Sequence, residues 1–195
     1  TVRPEHKSAA VALAAKIVSN KSRYQIVEAN DGVPWFVVGC WHYRESDFDF
    51  GTYLGNGQPL SEITTEVPAG RGPFSSFEAG ASDALRGLKG IKWSIERILY
   101  ETERFNGQGY FSVSPPTNSP YVWSWTTAYT SGKYIRDHVF NKDEVDVQCG
   151  CAAILKELEA SGAIALEFEA PMPTQAPAPI PTVTISHPAT GQQFT

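Results

Sequence analysis

The segment from Pro34 to Ser46 constrains the fold more than any other part of the chain. Trp35-Phe36-Val37-Val38-Gly39-Cys40-Trp41 is apolar at every position, so a helix built from it has no face to offer water and has to sit inside a shell of other elements. Pro34 suits the first helical position, where the N–H it lacks would have no intrahelical acceptor. The segment then runs without a break into His42-Tyr43-Arg44-Glu45-Ser46. A chain that folds around this helix holds a carboxylate at the end of its most apolar element.

The shell reads as mostly helical. Pro4 opens a helix that carries Ala9, Ala10, Leu13, Ala14 and Ile17 at helical spacing, and Tyr24 to Ala29 continues it until Asn30-Asp31-Gly32. Ser75-x-x-Glu78 has the form of a capping box, and Ile91, Ile95, Ile98, Leu99, Thr102 and Phe105 recur at three- and four-residue steps up to Asn106-Gly107. A last helix is expected from about Asp143 to Glu159. Between helices, Asp47 to Leu54, the Gly55-Asn56-Gly57 turn and β-branched Ile63 to Val67 predict a small hairpin or irregular β-region. Tyr110 to Tyr134, with Pro115, Pro116 and Pro120, reads as a loop. No internal repeat is visible.

Composition narrows the function classes. Of 195 residues 42% are apolar, enough for a full core, and 21 acidic against 16 basic residues give a formal charge of -5. No basic run is present, which argues against a duplex-DNA binder that works through phosphate neutralisation. The longest apolar stretch is broken by His42, Arg44 and Glu45, short of the roughly 20 residues a membrane span needs. From Ala170 to Thr195 there is no charged residue, and Pro171, Pro173, Pro177, Pro179, Pro181 and Pro188 predict a polyproline-type linker or tail. The expected globular unit is therefore residues 1–169, with a further module possible beyond the tail. No signal peptide is visible, and because the first residue is Thr1 rather than Met, a removed leader stays open. Cys40, Cys149 and Cys151 lack zinc spacing and read as packing residues. No metal or other cofactor is implied.

The chemistry concentrates at Glu45. A carboxylate at the end of an apolar helix is costly to ionise, so its pKa rises, and a raised pKa is what a general acid requires near neutral pH. The plainer reading is that Glu45 marks where the helix surfaces, paired with Arg44 or another cation. His42 and Glu45 also form an H-x-x-E pair one turn apart, but without the third ligand a metal site of that type needs. Trp123 and Trp125 lie in the Pro-bounded loop, where aromatic faces suit stacking on sugar rings, whereas Trp35 and Trp93 lie on helical apolar faces.

Several ordered blocks carry a resemblance. These are His42-Tyr43-Arg44-Glu45-Ser46-x-Phe48-Asp49-Phe50, Asn56-Gly57-x-Pro59-Leu60, Val67-Pro68-Ala69-Gly70-Arg71, Tyr100-Glu101-x-Glu103-Arg104-x-Asn106-Gly107-x-Gly109-Tyr110 and Ser119-Pro120-Tyr121-x-Trp123-Ser124. Over residues 20–160 they resemble bacterial and phage proteins of the lysozyme-like superfamily, in its goose-type lysozyme and soluble lytic transglycosylase branch. The resemblance implies a mainly α, α+β lysozyme-like fold whose small β-hairpin element forms one wall of a glycan cleft. It also implies muramidase activity on peptidoglycan glycan strands, with Glu45 as the acid, in a secreted, periplasmic or phage-associated protein. Gly55-Asn56-Gly57-Gln58-Pro59-Leu60 departs from the Gly-Leu-Met-Gln type segment of lytic transglycosylases, which favours hydrolysis over transglycosylation. A chitinase or chitosanase and a non-catalytic glycan-binding module are the alternatives.

The second catalytic group stays open among Thr64, Glu66 and Asp49, with Asp49 more readily structural and Asp47 weaker. An inverting enzyme holds its base about 6.5–9.5 Å from the acid and a retaining one its nucleophile at about 5–5.5 Å. Ser46, Asn56, Tyr110, Tyr121 and Trp123 are the expected substrate-binding residues; Asn106 and Gly107 are explained as a helix C-cap.

Overall fold

The computed structural model describes residues 1–136 and 138–167. The expected tail, residues 170–195, lies outside them, as does Asp137. Among the described residues the fold is mainly α, with one two-stranded antiparallel sheet. The elements are α1 (Lys7–Ser19), α2 (Lys21–Asp31), α3 (Trp35–Ser46), α4 (Phe77–Leu85), α5 (Ile95–Asn106), α6 (Pro120–Trp123), β1 (Lys133–Arg136), β2 (Val139–Asn141) and α7 (Cys151–Ala160). No described helix is long and apolar enough to cross a membrane.

Helix α3 is the central element, as its composition requires. From Val37 to Tyr43 every residue is buried, packed by α1 and α2 on one side and by α7 on another. Each fully buried Val here stabilises the fold by roughly 1.5–3 kcal/mol. Trp41 stacks on Phe105 of α5 at 4.4 Å and donates its indole N–H to Thr102 Oγ1 at 3.1 Å, which satisfies the one polar atom of an otherwise apolar side chain. Pro34 sits at the N-cap rather than inside the helix, and the left-handed Asp47 ends it. Gly32, also left-handed, stops α2 where the sequence places the break.

Elsewhere the boundaries move for local reasons. Ser76, not Ser75, caps α4 by accepting the Ala79 N–H, and Glu78 turns instead to Arg23 at 2.6 Å. Helix α7 starts at Cys151 rather than Asp143, because Asp146 is drawn into an ion cluster and also accepts the Gln148 N–H, which holds that stretch irregular. Cys149 consequently lies before the helix, and all three cysteines are buried and free.

The β-structure is the main relocation. Residues 47–67 contain one isolated bridge, Thr52 to Pro59, and no paired strands. Side chains close this segment instead: Gln58 Oε1 accepts the Thr65 and Glu66 N–H groups, and Asn56 donates to the Glu66 carbonyl at 3.1 Å. The antiparallel pair is β1–β2, inside and just after the stretch read as loop.

Two glycines allow backbone contacts that seat the functional elements. Gly150 lies against α6, where an added Cβ would fall 2.6 Å from the Val122 carbonyl oxygen. Gly57 has φ +73°, and a Cβ there would fall 2.9 Å from the Glu45 carbonyl oxygen. The 55–58 turn therefore abuts the end of α3. Gly57→Ala should lower stability by roughly 1–2 kcal/mol through the left-handed conformation alone, read as a lower urea midpoint at unchanged slope.

Candidate functional site

The site is built where α3 ends. Its last turn points Glu45 toward α6, and the Tyr121 hydroxyl donates to Glu45 Oε1 at 2.7 Å. Burial pushes the Glu45 carboxyl above the ordinary value of 4.5, against the opposing pull of the Tyr121 hydrogen bond and the Arg44 charge. Tyr121 is itself buried, and its hydroxyl is pushed far up by burial and by the adjacent Glu45, so it stays a donor. The pair holds one proton firmly on Tyr121 and sets a carboxyl beside it that resists ionisation.

Arg44 does not pair with Glu45. Its guanidinium reaches Asp146 Oδ2 at 2.9 Å and the Cys149 carbonyl at 3.3 Å, and lies 4.8 Å from the Tyr121 ring centre. Lys133 of β1 takes the other Asp146 oxygen at 3.1 Å. Burial works against the Asp146 charge, but Arg44 and Lys133 outweigh it and hold the carboxyl below its usual value. Tyr121 is thus fixed between an ion cluster and the carboxyl it serves.

Arg44 and Tyr121 both line an open cleft of about 600 Å³. The rest of its wall comes from Asn106 to Tyr110 at the end of α5, from Lys133 to Arg136 with His138 in the β1–β2 region, and from Asp146 and Gln148. Tyr110 accepts the Tyr134 N–H at 3.1 Å, and the rings of Tyr110, Tyr134 and Phe140 meet edge to face. Glu45 is not itself on the wall; it reaches the cleft through Tyr121. A β-element does border the cleft, but it is β1, residues 133–136, rather than the expected 47–67.

The other expected residues separate into two groups. Tyr110 and Tyr121 line the cleft, whereas Trp123, two positions on in a one-turn helix, points to a different cavity. The Thr64 hydroxyl is spent, donating to the Pro68 carbonyl at 2.7 Å and accepting the Arg71 N–H at 3.0 Å. Asp49 accepts the Gly51 N–H at 2.8 Å and lies exposed in its turn. Asn56 serves as the clamp on the Glu66 backbone already described, Ser46 hydroxyl turns back toward the His42 carbonyl at 3.4 Å, and Glu66 is exposed. Neither Asp49 nor Glu66 is among the groups that shift the Glu45 carboxyl.

The H-x-x-E pair resolves as packing. His42 is fully buried, with Tyr24 Oη at 3.0 Å from Nδ1 and the Asp49 carbonyl at 3.0 Å from Nε2. Burial lowers its pKa to about 4, so it is a neutral core histidine with both ring nitrogens engaged. Among the described residues no three His, Cys, Asp or Glu side chains gather where they could hold a metal ion.

Sequence reasoning missed Asp146, Lys133, Tyr134 and Gln148. No local signal marks Asp146: alternation would turn Val145 and Val147 inward and the acid outward, whereas the structure exposes both valines and buries Asp146. Compared with known proteins, the chain matches no family model, no curated sequence and no solved structure.

Proposed function

We propose that the protein is a peptidoglycan hydrolase, a muramidase that cleaves the β-1,4 bond between N-acetylmuramic acid and N-acetylglucosamine with Glu45 as general acid. The observation that carries the reading is the Glu45 carboxyl, whose pKa burial raises and whose one oxygen is anchored by Tyr121, a residue on the wall of an open cleft. The Tyr121 hydroxyl occupies Oε1, so Oε2 is the oxygen that carries the proton in this reading. Tyr110 and Tyr134 supply ring edges and hydroxyls for sugars, and the exposed Arg136 suits an anionic substituent such as the lactyl carboxylate of N-acetylmuramic acid. None of Thr64, Glu66 and Asp49 lines the cleft, so the reading rests on Glu45 without an assigned second group. The reading places the protein's work at the bacterial cell wall.

The test is mass spectrometry of soluble products after incubation with purified peptidoglycan. Reducing-end muropeptides are expected. Anhydro products would convert the reading to a lytic transglycosylase, and binding without release would leave a glycan-binding module.

The pH dependence carries its own sign. Tyr121→Phe removes the hydrogen bond that favours the ionised Glu45, so the carboxyl pKa should rise further. The alkaline limb of kcat/KM, where the acid form is lost, should then move to higher pH than in wild type. A limb that moves down, or stays, removes Tyr121 from this role.

A further inference from the structure

Tyr110 also lines a second groove, of about 410 Å³, within the roughly 300–1,000 Å³ of small-molecule sites. Its residues come from two stretches, 110–118 and 128–131. The Asn118 side chain joins them by donating to the Ala128 carbonyl at 2.7 Å, and the buried Tyr129 is fixed by its hydroxyl, which donates to the Gly132 carbonyl at 3.3 Å. No charged side chain lines the groove. Its free polar groups are the Thr130 and Ser131 hydroxyls and Asn118 Oδ1, none of which has a hydrogen-bond partner among the described residues. Phe111 on the same wall is 64% exposed and is no part of the hydrophobic core, so the fold gains little from its ring.

These groups select a neutral occupant, because an ion of either sign finds no counter-charge on the wall. An apolar molecule strips water from the two hydroxyls and from Asn118 Oδ1 and replaces none of it. A linear polyol meets the hydroxyls and leaves the Phe111 ring bare. A nucleobase or an amide group presents its donors and acceptors along one edge, whereas Asn118 stands on one stretch and Thr130 and Ser131 on the other. A pyranose has an apolar face for the ring and hydroxyls around its whole rim, each both donor and acceptor.

We propose that this groove is a binding subsite for an uncharged saccharide ring, stacked on Phe111 and hydrogen-bonded by Asn118, Thr130 and Ser131. The subsite does not depend on whether Glu45 cleaves anything. Because Tyr110 borders both the cleft and the groove, the subsite extends the surface on which a glycan strand lies.

The experiment is a titration of the full ¹⁵N-labelled chain with triacetylchitotriose, an uncharged trisaccharide, and in parallel with sorbitol and with uridine. The trisaccharide should give saturable amide shifts within residues 110–118 and 128–131, and sorbitol and uridine none there. Phe111→Ala changes an exposed side chain and should weaken this response at least about fivefold. Thr130→Val combined with Ser131→Ala costs the fold no hydrogen bond and should weaken it at least about threefold. Shifts within residues 133–136 and 146–148 report the main cleft separately, so failure of the muramidase reading leaves this test intact. No saturable shifts in the groove, equal ones from sorbitol or uridine, or unchanged affinity in either variant each overturn the proposal.

Discussion

Glu45→Gln should abolish release of soluble muropeptides, lowering kcat by at least about a hundredfold, while leaving the fold and glycan binding nearly intact. Removing a general acid typically costs a factor of about 10² to 10⁴. The amide keeps an oxygen to accept the Tyr121 hydroxyl, now 2.7 Å from Oε1, so the local geometry has no reason to collapse. Stability should move the opposite way to activity. Because the folded pKa of Glu45 lies above the ordinary 4.5, the folded state binds its proton more tightly than the unfolded chain does. Stability is then lost as pH rises from about the ordinary value through the raised one, and the neutral amide escapes that loss. The variant should therefore match wild type in acid and exceed it above that window. Thermal melts across the pH range, run beside product analysis, check both signs. A variant that is inactive and also destabilised would make Glu45 a structural residue, and one that retains turnover would remove it from the chemistry.

That opposition of stability and activity is what the sequence made legible at this site. An apolar run ending in Glu45 already states that a carboxyl is drawn toward a dry interior, and the fold bears out the buried helix. Local signals served equally well at Gly32 and at the end of α5, because turn and cap chemistry is written in adjacent residues. What completes the site is non-local. Tyr121 reaches Glu45 across 76 positions and Asp146 reaches Arg44 across 102, and no periodicity encodes either meeting. The sheet escaped notice because β1 and β2 are four and three residues long, too short to show alternation, and lie beside a Pro- and aromatic-rich stretch. Conversely, the 47–67 segment has strand-like composition but closes through Asn56, Gln58 and Thr64 side chains, so its backbone groups are satisfied without a partner strand. Trp123 shows the same limit on a smaller scale. In a single turn of helix, two positions decide which cavity a ring faces, and only the packing of α6 fixes that phase.

Asp146→Ala should be the most destabilising single change in the site, at about 3–5 kcal/mol. Arg44 and Asp146 side chains are 7% and 3% exposed, so the substitution strands a guanidinium in the interior with the Cys149 carbonyl and the Tyr121 ring as its remaining partners. Arg44 Nε already lacks a hydrogen bond, which leaves no spare donor geometry to absorb the loss. At about 2–4 °C per kcal/mol for a domain of this size, the melting temperature should fall by about 10 °C. Removing both charges is a different perturbation from removing one. Arg44→Met combined with Asp146→Ala should recover most of the loss, because the desolvation cost of Arg44 disappears with its charge. Lys133, with a side chain 29% exposed, can turn to solvent in either case. The double variant should nonetheless stay impaired in turnover, since the guanidinium that packs on Tyr121 is gone and with it the support for the hydroxyl on Glu45. Urea midpoints for the two single variants and the double give the coupling energy. A cycle with no coupling would mean the pair merely shares a cavity, whereas a recovery of stability without activity assigns the cluster to positioning Tyr121.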